Sequence, residues 1–311
     1  MSWRHVIDAY ELLDDPATSG AAVADYLTGC GAPTPTVHTV RGDKGSTDFV
    51  RLTIPGRRGR SVGGDAPTLS VIGRLGGLGA RPEQIGFVSD GDGALTAVSV
   101  AAKLSAMHAR GDVLDGDVVV ATHICPDAPT RPHDPVPFMD SPVDLAAMNE
   151  HEVDPAADAV LSVDTTKGNR IVNVNGFAIS PTVKQGWILR VSEDLLAVQQ
   201  RVTGSLPAVL PLAMADITPY GNGAYHVNSI LQPTTSTAAP VVGVAITTET
   251  PVAGSATGAT QLSSVESAVR FCIEVAKDFG RGSLRLHDQA EFEHLVERYG
   301  PMTALQTQGN A

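Results

Sequence analysis

The stretch that decides the fold is I-G-F-V-S-D-G-D-G-A-L-T-A-V-S-V-A-A-K-L (85–104), followed after a polar turn by G-D-V-V-V-A-T-H-I-C-P-D-A-P-T-R-P-H-D-P (116–135). A short apolar strand, an apolar helix and a second apolar strand follow one another, and this order at this length is typical of a βαβ unit. We therefore expect the two strands to be parallel neighbours in one sheet. The helix is apolar almost all round, which predicts that it is buried between layers.

Polar side chains follow each strand of this unit. Asp90 and Asp92 come after the first strand, and a further apolar run, Ala159 to Val163, ends at Asp164. In open α/β sheets, ligands bind outside the carboxyl ends of the strands, so these acids are expected at one edge of the sheet. The residues that follow the second strand reach the same edge, and they are His123, Cys125 and Asp127.

Composition limits the possible functions. The chain has 311 residues and a formal net charge of -12, which argues against a nucleic acid or an anionic membrane as partner. Three cysteines give no disulfide framework, and no apolar run reaches membrane-spanning length. The first residues lack the apolar core of a signal peptide, so we expect a cytoplasmic protein.

The residue types at this edge suggest a metal site. A carboxylate, an imidazole and a second carboxylate form a ligand set that suits a hydrolytic divalent metal, and Asp90, His123 and Asp164 supply it. His133 and His226 lie on loops that can reach the same pocket. We expect a divalent metal, with zinc foremost.

Catalytic roles are open to several interpretations. Asp92, or an acid of the 126–158 loop such as Asp127, is the expected base, although Asp92 also fits a helix N-cap. His123 also fits a hydrogen-bonded structural histidine. Cys125 fits either a small buried residue or, in an enzyme without metal, a thiolate nucleophile.

Five long runs carry a resemblance to a known family. In these runs the chain resembles a bacterial family known as domain of unknown function 1177, and this resemblance implies no particular activity. The runs are I-G-R-L-G-G-L-G-A-R-P-E (72–83), S-D-G-D-G-A (89–94), T-H-I-C-P-D-A-P-T-R-P-H-D-P-V-P-F-M (122–139), S-V-D-T-T-K-G-N-R (162–170) and I-T-P-Y-G-N-G-A-Y-H-V-N-S-I-L-Q-P (217–233).

A weaker similarity reaches the zinc aminopeptidases and amidohydrolases of the TET-like and carboxypeptidase-like clan. Asp90 stands where that clan has its metal-bridging Asp, and Asp164 resembles its later ligand acid. The clan's Glu-Glu pair falls at Thr122-His123, and its early His-x-Asp motif has no counterpart before Asp90. The final histidine ligand is also missing, and the possible replacements are His226, His133, Asp134 and Glu249.

These observations predict an α/β fold with a mainly parallel sheet and helices on both faces, resembling the zinc-exopeptidase core. We expect an N-terminal part packed on the core (1–64), the core itself (65–285) and a C-terminal helix and tail (286–311). The predicted function is metal-dependent hydrolysis of a C–N amide bond in a small peptide-like or lactam substrate. The alternative is a degenerate peptidase fold that binds or assembles without catalysis. An apolar hairpin at 170–191 and the TET-like resemblance both suggest a homo-oligomer.

Overall fold

A computed structural model describes residues 2–212 and 228–307. In this part of the chain nine strands form one sheet in the order β1-β2-β4-β3-β7-β11-β9-β10, with β8 paired to β11. The central strands β4, β3, β7 and β11 run parallel, and β2, β8 and β9 join them antiparallel. The predicted α/β class and mainly parallel core are therefore confirmed.

The strands of this sheet are β1 (Thr36–Gly42), β2 (Gly45–Ile54), β3 (Leu69–Gly73), β4 (Val118–Ile124), β7 (Ala159–Thr165), β8 (Gly176–Ile179), β9 (Val183–Lys184), β10 (Trp187–Ile188) and β11 (Val241–Thr247). A separate small hairpin is made by β5 (Thr130–Arg131) and β6 (Phe138–Met139). The helices are α1 (Trp3–Asp14), α2 (Gly20–Gly29), α3 (Asp92–His108), α4 (Leu145–Glu152), α5 (Glu193–Thr203), α6 (Leu262–Gly280) and α7 (Gln289–Tyr299).

The sheet separates two apolar cores. Along β11, Val242 and Val244 belong to the larger core with α1, α3, α5 and α6, whereas Val241 and Ala245 belong to the smaller one. This alternation follows from the two-residue period of a strand. The smaller core is covered by the 3-10 turn Ser229–Thr235, and α4 packs on β2 and β4. Helices therefore lie on both faces, as predicted.

The predicted strand at 85–88 is wrong, and the βαβ unit begins instead at β3. Ile85 is 89% exposed, and Gly86 has a φ of 91°, so the chain turns here instead of extending. Phe87 packs its ring on Tyr10 of α1. The unit β3-α3-β4 keeps the expected arrangement, because β3 and β4 are parallel neighbours.

The predicted hairpin at 170–191 is also different from the structure. Its first half, β8, pairs with β11, and the hairpin itself is the short pair β9 and β10. Residues 1–64 add β1 and β2 to the main sheet, where β2 pairs directly with β4. None of the helices within the described residues is both long and apolar enough to cross a membrane.

Candidate functional site

A buried ion pair lies at the carboxyl edge of the parallel strands. Asp92 begins α3, and Lys167 follows the end of β7; Lys167 Nζ lies 2.7 Å from Asp92 Oδ2. The Asp92 side chain is fully buried, whereas the Lys167 side chain is 9% exposed. Burial raises the pKa of Asp92, and the charge and hydrogen bond of Lys167, followed by the hydroxyls of Thr260 and Thr165, oppose this rise without cancelling it. Asp92 Oδ1 has no hydrogen-bond partner among the described residues.

Close backbone packing places this helix end against the strands. A Cβ on Gly93 would lie 2.1 Å from the carbonyl oxygen of Arg74 and 2.8 Å from that of Val163, so only glycine fits there. This is why the first turn of α3 can sit directly at the ends of β3 and β7. The glycine after Asp92 thus brings the Asp92 carboxylate within reach of Lys167.

Asp90 and Asp164 lie on neighbouring segments of the same edge. Both residues are buried, at 8% and 4% exposure, and both have interaction partners. The Thr165 hydroxyl donates to the Ser89 carbonyl over 2.8 Å and so ties the two segments together. Asp164 Oδ1 also accepts from the Thr165 backbone N–H at 2.7 Å. Asp90, Asp92 and Asp164 therefore lie on two segments that are hydrogen-bonded to each other.

His123 occupies a different environment from the one predicted. It is part of β4 and 2% exposed, and its Nδ1 lies 2.6 Å from Glu152 Oε1. Its Nε2 accepts from the Gly76 backbone N–H at 2.9 Å. An Nε2 that accepts has no proton, so Nδ1 carries the proton and donates to Glu152. Both ring nitrogens are engaged within the protein, and the structural interpretation fits this histidine better than the role of a ligand.

The partner of His123 belongs to a buried charged network. Glu152 Oε2 accepts from Arg74 Nη1 at 2.6 Å, and Arg74 Nη2 donates to Gln232 Oε1 at 3.0 Å. Burial alone would raise the pKa of Glu152, but Arg74 and His123 outweigh it and hold the pKa below its usual value. The network links the residue after β3 with β4, α4 and the turn Ser229–Thr235.

A bulge shapes the glycine-rich segment that follows β3. Gly73 pairs with Thr122, and the next bridge joins Gly77 to Cys125, so β3 has one extra residue in this interval. Leu75 within the bulge has a φ of 64°, an unfavourable value for a residue with a side chain. Bulges and left-handed residues of this kind concentrate next to functional sites.

Three further residues of the predicted site, Cys125, Asp127 and His133, have surroundings that differ from those of the buried acids. Cys125 is buried, and burial raises its pKa to about 12, so its thiol is a poor nucleophile at neutral pH. Asp127 and His133 are exposed, and His133 Nδ1 lies 3.0 Å from the Val136 carbonyl within its own loop. Among the suggested replacements, Asp134 and Glu249 are also exposed.

The described residues do not complete a metal site. Within 2–212 and 228–307, no three His, Cys, Asp or Glu side chains are grouped as metal ligands. Asp90 and Asp164 are suitable carboxylate donors, but His123 has no free ring nitrogen to offer. His226 lies outside the described residues. The predicted zinc set is therefore not assembled by this part of the chain.

Lys167 is the functional candidate that the sequence analysis passed over. It stands in the run S-V-D-T-T-K-G, three residues after Asp164 and directly after a buried strand. A lysine at the end of an interior parallel strand was the available signal. Glu152 had no comparable signal, because it ends a short helix far along the chain from Arg74 and His123.

Together the fold and this edge define an open-sheet α/β protein with buried ionic groups at the carboxyl ends of its parallel strands. The chain belongs to the family described as "Protein of unknown function (DUF1177)", whose model matches residues 38–309. This confirms the family that the sequence motifs indicated. No curated protein matches the chain. Among solved structures it is similar to the LapA aminopeptidase of Legionella pneumophila, with 9% sequence identity and a TM-score of 0.48 over 90% of this chain and 70% of that one.

Proposed function

We propose that the carboxyl edge is an active site that hydrolyses a C–N amide bond in a small peptide-like or lactam substrate. The observation that supports this most is the ion pair of Lys167 with fully buried Asp92, flanked by Asp90 and Asp164. Buried charges are costly, and they concentrate where a protein needs fixed charges for chemistry. Their position at the strand ends is where open α/β sheets bind ligands.

In this proposal Lys167 is the residue that contacts the substrate. An amide carbonyl oxygen gains negative charge when it is attacked, and a fixed ammonium stabilises that charge. Lysine has three N–H donors, and one of them is directed to Asp92 Oδ2. Asp92 is fully buried, so it acts as a positioning residue that holds Nζ, and not as the base expected from the sequence.

A divalent metal, with zinc foremost, remains part of the proposal as a cofactor. It would polarise the substrate carbonyl and lower the pKa of a bound water. Asp90 and Asp164 are the described residues that would hold it. Because the described residues alone do not fit a complete site, we assign no catalytic step to the metal.

The test measures amine release and metal content together. Purified protein, reconstituted in turn with zinc, manganese and cobalt, is incubated with a pool of dipeptides, N-acyl amino acids and lactams. We expect release of a primary amine that Lys167→Met abolishes and that Lys103→Met, a change on α3 away from the edge, leaves intact. Metal below roughly a tenth of an equivalent after reconstitution would remove the metal from the proposal.

The second candidate is a binding or assembly protein without catalysis. The observation that favours it concerns His123, which occupies the position of the clan's acidic pair. Both of its ring nitrogens are already hydrogen-bonded, one to Glu152 and the other to the Gly76 backbone N–H. A small molecule that co-purifies with the protein and is recovered unchanged after incubation would support this candidate. Turnover of the same molecule would exclude it.

A homo-oligomer also remains a proposal. Ile188 of the short β9-β10 hairpin is 49% exposed, and Ile171 is 47% exposed. An exposed apolar side chain on this hairpin suits contact with a second copy of the chain.

A further inference from the structure

The strand β1 forms one end of the main sheet, and its outer side has no neighbouring strand among the described residues. All but one of its seven residues are exposed. The strand at the other end of the sheet, β10, has only two residues. A long unpaired strand offers a row of backbone N–H and C=O groups to another strand, so β1 is the end at which this sheet can be extended.

The register of β1 with β2 shows which backbone groups face outward. Gly42 and Gly45 flank a two-residue turn and pair directly, so Gly42 is hydrogen-bonded to β2 and the pattern alternates from there. The backbone groups of Val37, Thr39 and Arg41 therefore point away from β2, and we call this the free side of β1. Among the described residues, no hydrogen bond from another segment reaches the backbone of these three residues.

Packing on both faces of the sheet holds β1 in place. On one face, a Cβ on Gly20, the first residue of α2, would lie 2.7 Å from Val37 Cγ1, so the start of this helix lies directly on the strand. On the other face, the centre of the His38 ring lies 4.7 Å from that of His151 in α4. A strand that is already fixed loses little conformational freedom when a second strand joins it.

The free side of β1 is uninterrupted and has defined limits. Its pairing with β2 continues from Thr36 to Gly42 without a bulge, and this segment contains no proline. Prolines and bulges are devices that protect exposed strands from pairing, and β1 has neither between these two residues. Pro35, which has no backbone N–H, precedes the strand, and the turn Asp43-Lys44 follows it.

The free side is also complementary to itself. In an antiparallel pair centred on Thr39, this residue pairs with Thr39 of a second copy, and Val37 pairs with Arg41. All outward groups of both strands are then bonded, which gives about six backbone hydrogen bonds, whereas other registers leave some of these groups unpaired. The two Arg41 residues lie roughly 14 Å apart along the strands, so their like charges are not directly opposed.

We propose that the free side of β1 binds β1 of a second copy of the chain, so that two sheets become one continuous sheet about a two-fold axis at Thr39. Pairing of β1 with β10 would build an open filament, but β10 is too short to match β1. The symmetric pair instead uses the free sides of both copies and leaves none for a third. Because β1 and β10 lie at opposite ends of the sheet, this contact is separate from the one proposed at Ile188.

Light scattering on Ile188→Glu protein tests this contact in the absence of the other one. We expect twice the 32.3 kDa of one chain. Adding Thr39→Pro removes an outward N–H that β2 does not use, and the mass should fall to that of one chain. Thr39→Val is the matched control, because it also removes the hydroxyl that donates to Asp48 but keeps the N–H, and it should remain a dimer.

Two outcomes of this experiment would overturn the proposal. Ile188→Glu protein with the mass of one chain would leave the free side of β1 to a strand of another protein. A dimer that persists with Thr39→Pro would place the contact elsewhere on the surface.

Cysteine crosslinking tests the register without proline. In the proposed pair the two Cα atoms at position 39 lie about 5.5 Å apart, within disulfide range, whereas those at position 41 are roughly 14 Å apart. In a Cys30→Ser background, which removes the partly exposed native cysteine, oxidised Thr39→Cys should give a covalent dimer on a non-reducing gel and Arg41→Cys should not. Equal crosslinking of both variants, or none in Thr39→Cys, would contradict the proposed pair.

Discussion

Replacing Lys167 by methionine should lower the unfolding free energy, because the buried Asp92 carboxylate is left without its charged partner. Asp92 is fully buried and loses its charged partner at 2.7 Å, and the hydroxyls of Thr260 and Thr165 beside it carry no charge that could replace that of Lys167. Removing one member of a buried ion pair costs about 3–5 kcal/mol of unfolding free energy. For a chain of this length, that corresponds to a fall of about 5–8 °C in Tm.

The effect should depend on pH in a defined direction. The pKa of folded Asp92 is raised above its unfolded value, so its contribution to stability is present at low pH and is lost as pH rises through the folded pKa. Lys167 lowers this pKa, and its removal therefore raises it further. The destabilisation of Lys167→Met relative to wild type should be largest near neutral pH and should shrink on acidification, as Asp92 takes up a proton.

Urea unfolding from about pH 8 to about pH 5 measures both effects. The control is the double variant Asp92→Asn with Lys167→Met, which removes both charges and should recover most of the lost stability, with a coupling of about 3 kcal/mol. Lys167→Met with wild-type stability at neutral pH would refute the reasoning. A loss that stays constant over this pH range would refute its electrostatic cause.

The remaining predictions concern the residues whose roles the structure revises, together with the oligomer. His123→Ala should lower the unfolding free energy by about 2–4 kcal/mol, because it removes a buried partner of Glu152, and should leave metal content unchanged; lost metal with unchanged Tm would show that His123 is a ligand. Cys125 should resist iodoacetamide in the folded protein at pH 7, since its pKa is raised to about 12; rapid labelling followed by mass spectrometry would contradict this. Light scattering should give a mass above the 32.3 kDa of one chain, and Ile188→Glu should lower that mass. A mass of one chain for the wild-type protein would contradict the proposed homo-oligomer.

The α/β class and the mainly parallel core could be predicted from the sequence because they rest on local patterns. The continuous apolar run of β4 is typical of an interior parallel strand, and the ends of such strands share one edge by topology. Asp164 lies at the end of β7 as expected, whereas Asp90 lies in the 3-10 turn Ser89–Gly91 and follows no strand. The family motifs added the identity of the family but no geometry.

The errors arise where the structure depends on contacts distant in sequence. The run I-G-F-V (85–88) has strand-like residues, but Gly86 turns the backbone and Phe87 packs on α1 instead. The sequence suggests that His123 is a metal ligand. In the structure its Nδ1 is hydrogen-bonded to Glu152, which lies 29 residues further along the chain on a helix. The partner of a buried charge is set by tertiary packing, and no spacing rule within the sequence indicates it.

The central claim is that the carboxyl edge is a site of amide hydrolysis, and amine release is its most direct measurement. We predict that metal-reconstituted wild-type protein releases a primary amine from at least one amide or lactam of the substrate pool. The variants Lys167→Met and Asp164→Asn should release none, while Lys103→Met behaves as wild type. Release by all four proteins alike would place the chemistry elsewhere, and a pool recovered intact after incubation with wild-type protein would contradict the claim.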